Sequence, residues 1–466
     1  MTAPEATGEH SASIWSPRFL WVTLGSTALV FLAAIESLAV TTVMPVISTE
    51  LNGAALYAAA FSGTLATSVI GMVAAGVLSD RMNPLVPLTA SVVLFVAGLL
   101  VAGFAPSMLV LVIGRLLQGF GVGGQVVTLY VVVARVYPSL LHGRLFAVFA
   151  AAWIVPSFVG PFAAGLVAQS VGWRWVFLGV AGLTAAAYVA VVIPLRGLDL
   201  HPSAEDAAAA RAASAGGRLW CAVGVAAGAL GLTLAGETRD VAPWLPAVVA
   251  AVALAVVLLT ALPLLPRGTL RARRGLPSVV LMRAVIAGAL FGSEVYIPYL
   301  LVDVYGFDPA WAGLALTASA ITWWAASEVQ GRVGERLGST RIAVYGSTGL
   351  AVATAAATAT ALWHLPPAVL ITGWAFAGAG MGLMYPRLSV LTLRYSTPQN
   401  QGFNSSALSI FDAVGSSSAT AIMGILFTAL PAVVGFPAVF ALALALALFA
   451  FVPGLRLVTE GAVADR

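Results

Sequence analysis

The stretch Leu85–Phe104 reads LVPLTASVVLFVAGLLVAGF, twenty residues without a charged side chain. At about 1.5 Å per residue, a helix of this length crosses a hydrocarbon core of about 30 Å. Inside that core no water is present to bond the backbone. A helix satisfies its own N–H and C=O groups, so an apolar run of this length is read as a membrane-crossing helix.

Blocks of the same kind recur along the 466-residue chain. The expected spans are Phe19–Val46, Ala54–Ser79, Leu85–Phe104, Ser107–Val133, Leu145–Ala168, Trp175–Pro194, Leu219–Ala235, Pro243–Leu265, Ser278–Val302, Ala310–Gln330, Ile342–Leu362, Ala368–Leu393, Phe403–Leu430 and Phe436–Pro453. The fold class expected is therefore all-α integral membrane, with 14 transmembrane helices. Composition agrees. Apolar residues make up 60% of the chain and charged residues 9%, against about a quarter in soluble domains. So few charges cannot cover a soluble surface.

The formal net charge is +4, and every basic residue is an arginine. Nucleic acid is not the expected partner, because arginines flank the cytoplasmic ends of membrane helices. With the N-terminus inside, Arg18, Arg81, Arg135, Arg144, Arg196, Arg211, Arg218, Arg267, Arg271, Arg273, Arg274, Arg332, Arg336 and Arg341 fall at cytoplasmic ends. Arg174 and Arg239 fall outside. This asymmetry places both termini in the cytoplasm. Richness in Ala, Gly and Val fits a GC-rich bacterial genome, so the expected location is a bacterial plasma (inner) membrane. Residues Met1–Ser16 lack the basic cluster and cleavage site of a signal peptide, and the first span is expected to target the membrane. The one cysteine, Cys221, excludes a disulfide within the chain.

A weak repeat appears when the sequence is shifted by about 258 positions. Gly76–Met82 falls on Gly331–Leu337, Glu36 on Glu294, and Gly119, Gly121, Gly123 and Arg135 fall on Gly378, Gly380, Gly382 and Arg394. Two pseudo-symmetric six-helix bundles follow, at 18–194 and 277–456, with residues 195–276 inserting a linker and two extra helices between them. Tails occupy 1–17 and 457–466. Repeated bundles with a site between them are an architecture of secondary transporters.

At these residues the chain resembles the major facilitator superfamily, in its fourteen-helix drug:proton antiporter branch of the bacterial multidrug efflux type. Gly76–Arg81 resembles the family's loop signature between helices 2 and 3, although Met82-Asn83-Pro84 replaces its usual ending. Glu36 to Pro45 resembles the first-helix motif, with Glu for the usual Asp, and Arg115-Leu116-Leu117-Gln118-Gly119 matches the fourth-helix motif. Gly160-Pro161-Phe162-Ala163-Ala164-Gly165 resembles the antiporter motif of the fifth helix, with Pro156 and Ala164 standing where that motif has Gly. Trp173-Arg174-Trp175 is also typical of the branch. The resemblance implies a monomer, a central cavity lined by the first and fourth helices and their counterparts, and a cytoplasmic latch. That latch falls on Asp80, Arg81, Glu335 and Arg336, with Gly160 and Pro161 as further gating positions.

An ionisable group within a membrane is costly unless paired or wet, so it is a functional candidate by default. Glu36 lies nine residues before Pro45, Arg115 nine after Pro106 and Glu294 nine before Asp303, each about 13 Å from an outer helix end and near mid-depth. Glu36 and Glu294 are candidates to titrate protons and to attract a cationic substrate, with Arg115 as alternating partner. The competing reading is a static Glu–Arg pair. Asp412 shares a helical face with Ser405, Ser409, Ser416 and Thr420, which suits either proton coupling and substrate contact or helix packing. Trp374, Gly378, Met381 and Tyr385 form one face of the twelfth span. With Tyr296 and Trp324, these aromatics are candidate walls for a lipophilic cation. Pro298 and Pro161 are expected to kink helices beside the site.

The function expected is proton-coupled export of amphipathic, cationic small molecules by alternating access. Export or flipping of a lipid or lipophilic metabolite is the alternative. Partners are a small lipophilic substrate, protons and membrane lipid. No cofactor or metal is expected. An enzyme is disfavoured: Gly119–Gly124 spells a dinucleotide fingerprint but lies inside an apolar helix rather than after a strand.

Overall fold

The computed structural model describes residues 13–53, 56–202, 205, 215–235, 245–307 and 315–458. Most of the expected tails, much of the polar linker after Leu195 and the start of the span Ala310–Gln330 lie outside the described residues. Within them there is no β-strand. The helices are α1 Leu20–Glu50, α2 Tyr57–Arg81, α3 Leu85–Gly103, α4 Met108–Val136, α5 Ser139–Ser170 and α6 Arg174–Leu195. Then come α7 Ala215–Ala235 and α8 Leu245–Ala261. The rest are α9 Leu276–Glu294, α10 Tyr296–Asp303, α11 Thr317–Leu337, α12 Ser339–Trp363, α13 Pro367–Arg394, α14 Gln401–Ala429, α15 Ala432–Phe449 and α16 Phe451–Gly454.

Among the described residues, 10 stretches are long and apolar enough to cross a membrane. Ser139–Trp153, Gly216–Leu232 and Val248–Leu264 are shorter apolar helices. Helix α11 is more polar, because its last turns carry Glu328, Arg332, Glu335 and Arg336. Local chemistry sets several boundaries. Ser107, with extended backbone, caps α4 through the Val110 N–H. Asn83 accepts from Leu85 N–H at 3.0 Å at the start of α3.

The ninth expected span is broken into α9 and α10 at Val295. Pro298 supplies the reason. It has no N–H to give the Glu294 carbonyl, and its ring crowds that carbonyl. The break therefore falls beside the candidate carboxylate.

Packing in the first six helices joins α1 to α5 and α6, α2 to α4, and α3 to α4 and α6. The later helices repeat the scheme: α9 joins α14 and α15, α11 joins α13, and α12 joins α13 and α15. Details recur as well. Thr67 Oγ1 donates to the Leu116 carbonyl at 2.9 Å, and Thr322 Oγ1 donates to the Ala375 carbonyl at 2.6 Å. The glycine three residues beyond each carbonyl, Gly119 or Gly378, abuts the backbone of the facing helix. Hydrocarbon supplies little hydrophobic drive between membrane helices, so close backbone approach at small residues gives the attraction. The Gly119–Gly124 run is thus a packing surface within α4. One buried core includes Leu29, Phe95, Leu111 and Phe177, and a second includes Met282, Ile286, Trp374 and Phe440.

Candidate functional site

Glu36 on α1 and Arg115 on α4 are brought together, and each is 4% exposed. Arg115 Nη1 donates to Glu36 Oε1 and, at 2.5 Å, to Gln118 Oε1. Its Nε donates to the Ala60 carbonyl at 3.2 Å, so one guanidinium ties α1, α2 and α4. A buried ion pair is tolerated when the geometry is close and the remaining hydrogen-bonding capacity is used.

The later half is built differently. Glu294, at the end of α9, is half-buried and has no ion pair among the described residues. In the repeat register that aligns Gly119 with Gly378, Trp374 stands at the counterpart of Arg115. Trp374 is fully buried and its indole N–H has no partner among the described residues. The repeat thus conserves the acid and replaces the base.

A second charged group surrounds Asp412 on α14. Its Oδ1 accepts from Arg283 Nε at 2.8 Å and from the Tyr385 hydroxyl at 2.7 Å. The Arg283 guanidinium also lies 3.5 Å from the Tyr385 ring centroid and donates to the Tyr385 carbonyl at 3.1 Å. Trp323 and Phe291 both pack edge-on to Tyr385 and tilted to each other, with Trp323 5.1 Å from Tyr385 between centroids. Ser389 Oγ reaches the Tyr130 hydroxyl of α4 at 3.4 Å, linking this group to the first half.

The arginine-rich end of the molecule is shut by two glycine seams. Gly76 of α2 meets Gly402 of α14, where a Cβ on Gly76 would stand 2.7 Å from the Gly402 carbonyl oxygen. Gly331 of α11 meets α5, where a Cβ would stand 3.4 Å from the Gly143 carbonyl oxygen. Beside the first seam, buried Asp80 accepts from the Gly402 N–H at 2.6 Å and the Phe403 N–H at 2.9 Å. These are unsatisfied donors in the first turn of α14, where a carboxylate is favoured by geometry and by the helix dipole. An acid of the first half thus caps a helix of the second. Its repeat counterpart Glu335 instead pairs with Arg387 at 2.5 Å and Arg394 at 3.9 Å, within its own half.

The sequence matches the Major Facilitator Superfamily over residues 27–323. The chain belongs to the major facilitator superfamily. It is 25% identical over 461 residues to MFS transporter L2 of Phoma sp., covering 91% of this chain and 74% of the relative. It is 27% identical over 367 residues to the multidrug resistance protein B homolog of Mycobacterium tuberculosis, covering 76% of this chain and 66% of that protein, just under two thirds of its length. The human organic anion transporter MFSD10 shares the fold, with TM-score 0.65 at 15% identity over 94% of this chain and 99% of its own. Family and structural neighbours are transporters rather than enzymes.

Within this facilitator fold the candidate residues do not form one group. Glu36 joins Arg115, and Asp412 joins Tyr385. Tyr296 packs instead on Phe427, at 5.1 Å between centroids, and Trp374 is sealed in the core. Trp324 is half exposed and stays away from the Asp412 group; its neighbour Trp323 takes the place beside Tyr385. Arg336 is exposed and Arg81 half-buried. Gly160 is buried in α5 with Leu38 nearest, while the side chain of Pro161 lies outside the described residues. Arg283 is absent from the sequence-based candidates. Its signal was available: it lies inside the span Ser278–Val302, beyond the cluster Arg267–Arg274 that marks the span end.

At the opposite end of α1, beyond the apolar stretch Leu20–Met44, Glu50 holds the Trp-Arg-Trp motif. Its carboxylate accepts from Arg174 Nη1 and from Trp173 Nε1, both at 2.8 Å. These bonds hold the Glu50 carboxyl below the ordinary glutamate value of 4.5. A depressed acid stabilises the fold above its unfolded pKa, and the contribution is lost as pH falls through the folded value. The pair is more than a third exposed, so screening limits it to less than about 1 kcal/mol. Melting curves of wild type and Glu50→Gln are expected to differ slightly but measurably at pH 7 and to converge below pH 4.5. A constant difference across that range would remove Glu50 ionisation from the clasp.

Proposed function

We propose that the protein is a proton-coupled secondary transporter that exports amphipathic, cationic small molecules by alternating access. In this reading it has fourteen crossings, both termini are cytoplasmic, and the halves 18–194 and 277–456 move about the insertion 195–276. The arginine-rich end faces the cytoplasm of a bacterial cell, as the positive-inside rule requires. The similarity to a multidrug resistance protein B homolog supports the substrate class.

One observation carries the proposal. The repeat retains two in-span acids, yet only Glu36 has a guanidinium partner among the described residues. A carboxylate at membrane depth without a countercharge is stabilised by taking up a proton or a cation. Competition between those two for Glu294 is the minimum requirement of an antiporter. Glu36, by contrast, can exchange protons only when Arg115 releases it, which ties its titration to movement of α1 against α4. Asp412, held by Arg283 and Tyr385, offers a second oxygen to a substrate and an aromatic wall to a lipophilic cation.

The test is efflux of a fluorescent lipophilic cation from proteoliposomes with an imposed proton gradient. Glu294→Gln is expected to reduce gradient-driven flux at least about tenfold, corresponding to about 1.4 kcal/mol of lost coupling. Downhill exchange without a gradient should persist. Wild-type protein that moves none of a broad panel of cations, while translocating a lipid analogue, would instead favour export of a lipophilic metabolite.

A further inference from the structure

The two inserted helices touch the gate. Helix α7 packs along α2, where Ala222 and Val225 join Val69 and Val73 in one buried cluster. Its partner α8 closes the hairpin through Val257 and Ala261 and also meets α14. The hairpin therefore spans the seam between α2 and α14 at which Gly76 meets Gly402.

At the start of α7, half-buried Arg218 is the residue that reaches the seam. Its guanidinium carbon stands 4.3 Å from the centroid of the Phe403 ring. Phe403 is the residue whose N–H is held by Asp80 at 2.9 Å. Arg218 also lies close enough to Asp80 to act on its charge, together with Arg135. Arg135 has its own anchors, the Ser79 carbonyl at 2.8 Å and the Leu200 carbonyl at 2.7 Å. Arg218 therefore stacks on the Phe403 ring of α14 while lying within electrostatic range of Asp80 on α2. Because α7 lies against α2 along more of its length than against α14, separation of the two halves at this end breaks the contact with Phe403 first.

We infer that Arg218 is a positioning residue of the gate, and that the inserted hairpin serves to hold the arginine-rich end closed. The insertion is then a brace whose strength sets the balance between the two conformations. A ring-face contact with a partly desolvated guanidinium favours the closed seam by about tenfold. A lysine keeps the charge near Asp80 but loses the flat stacking of guanidinium on ring. This inference rests on the two-state reading proposed above.

The experiment is pulsed electron spin resonance on full-length protein in liposomes, in a Cys221→Ser background. Spin labels at Leu140 and Val329, both exposed, on α5 and on α11 two residues before Gly331, report the second seam, which Arg218 does not touch. Arg218→Ala is expected to raise the ratio of long to short distances about tenfold, and Arg218→Lys by less. Phe403→Leu should match Arg218→Ala while preserving apolar volume, which covers the case that Arg218→Ala folds poorly. Two distances in wild type with unchanged populations in folded Arg218→Ala and Phe403→Leu would overturn the role of Arg218 alone. A single distance in wild type at every pH and substrate condition would overturn the two-state reading beneath it.

Discussion

Arg115→Leu is expected to lower the stability of the solubilised transporter by about 3–5 kcal/mol, the usual result of breaking a buried ion pair from one side. The substitution leaves Glu36, 4% exposed, without its cation and Gln118 Oε1 without the donor it now has, while the Ala60 carbonyl keeps Thr64 Oγ1 as a donor. The double variant Glu36→Leu, Arg115→Leu is expected to regain most of that loss, because two apolar side chains of similar volume are tolerated where a lone charge is not. Thermal unfolding in detergent measures both. Protonating the orphaned acid relieves the defect and is easier at pH 5 than at pH 8, so the deficit of the single variant should shrink at the lower pH. Proton-driven transport should be absent in both variants. A double variant that regains stability but not transport separates the coupling role of the pair from simple neutralisation. If it regains both, the pair is a static structural contact and coupling lies elsewhere.

Much of this arrangement is legible in the sequence. Apolar blocks such as Leu85–Phe104 announce helices because hydrocarbon leaves the backbone no other open-chain solution. The repeat register is legible because glycines that abut a backbone, such as Gly119 and Gly378, tolerate no side chain. The pairing of Glu36 with Arg115 follows from two costly charges placed at equal depth. The break at Val295 follows from Pro298. What the sequence hides is the choice among neighbours around a helix. Trp323 and Trp324 are equivalent as letters, yet only the turn of α11 against α13 puts Trp323 beside Tyr385. The motif places Asp80 in a latch, but it does not name the partner: the cap on α14 spans more than three hundred residues of chain. Periodicity and local sequence do not encode which backbone N–H groups lie at that distance. Arg283 was hidden for a different reason. Arginines counted for topology draw attention to span ends, away from the one inside the span that holds Asp412.

Gly402→Val is expected to abolish closure at the arginine-rich end and with it vectorial transport. A Cβ at this position would fall on the Gly76 backbone carbonyl of α2, and 2.9 Å from Asp80 Oδ1. Backbone cannot move aside as a flexible side chain can, so α2 and α14 must part. Parting them also removes both N–H donors from Asp80 and leaves that carboxylate to find water, which only an open end supplies. The steric and electrostatic effects therefore act in the same direction. The second seam gives an independent reading of the outcome. A Cβ on Gly331 would lie 3.3 Å from the Ala147 Cβ, close to the spacing that a disulfide requires. Cysteines at positions 147 and 331, with Cys221→Ser, should therefore crosslink readily in the closed state. Adding Gly402→Val is expected to cut the crosslinking rate at least about tenfold, the equivalent of about 1.4 kcal/mol against closure. The two seams lie on different helix pairs, so such a loss means that the halves move as rigid units. Unaltered crosslinking in a folded Gly402→Val protein would show that the seams open separately, and the alternating-access reading would then need a local gate in place of a rocking one.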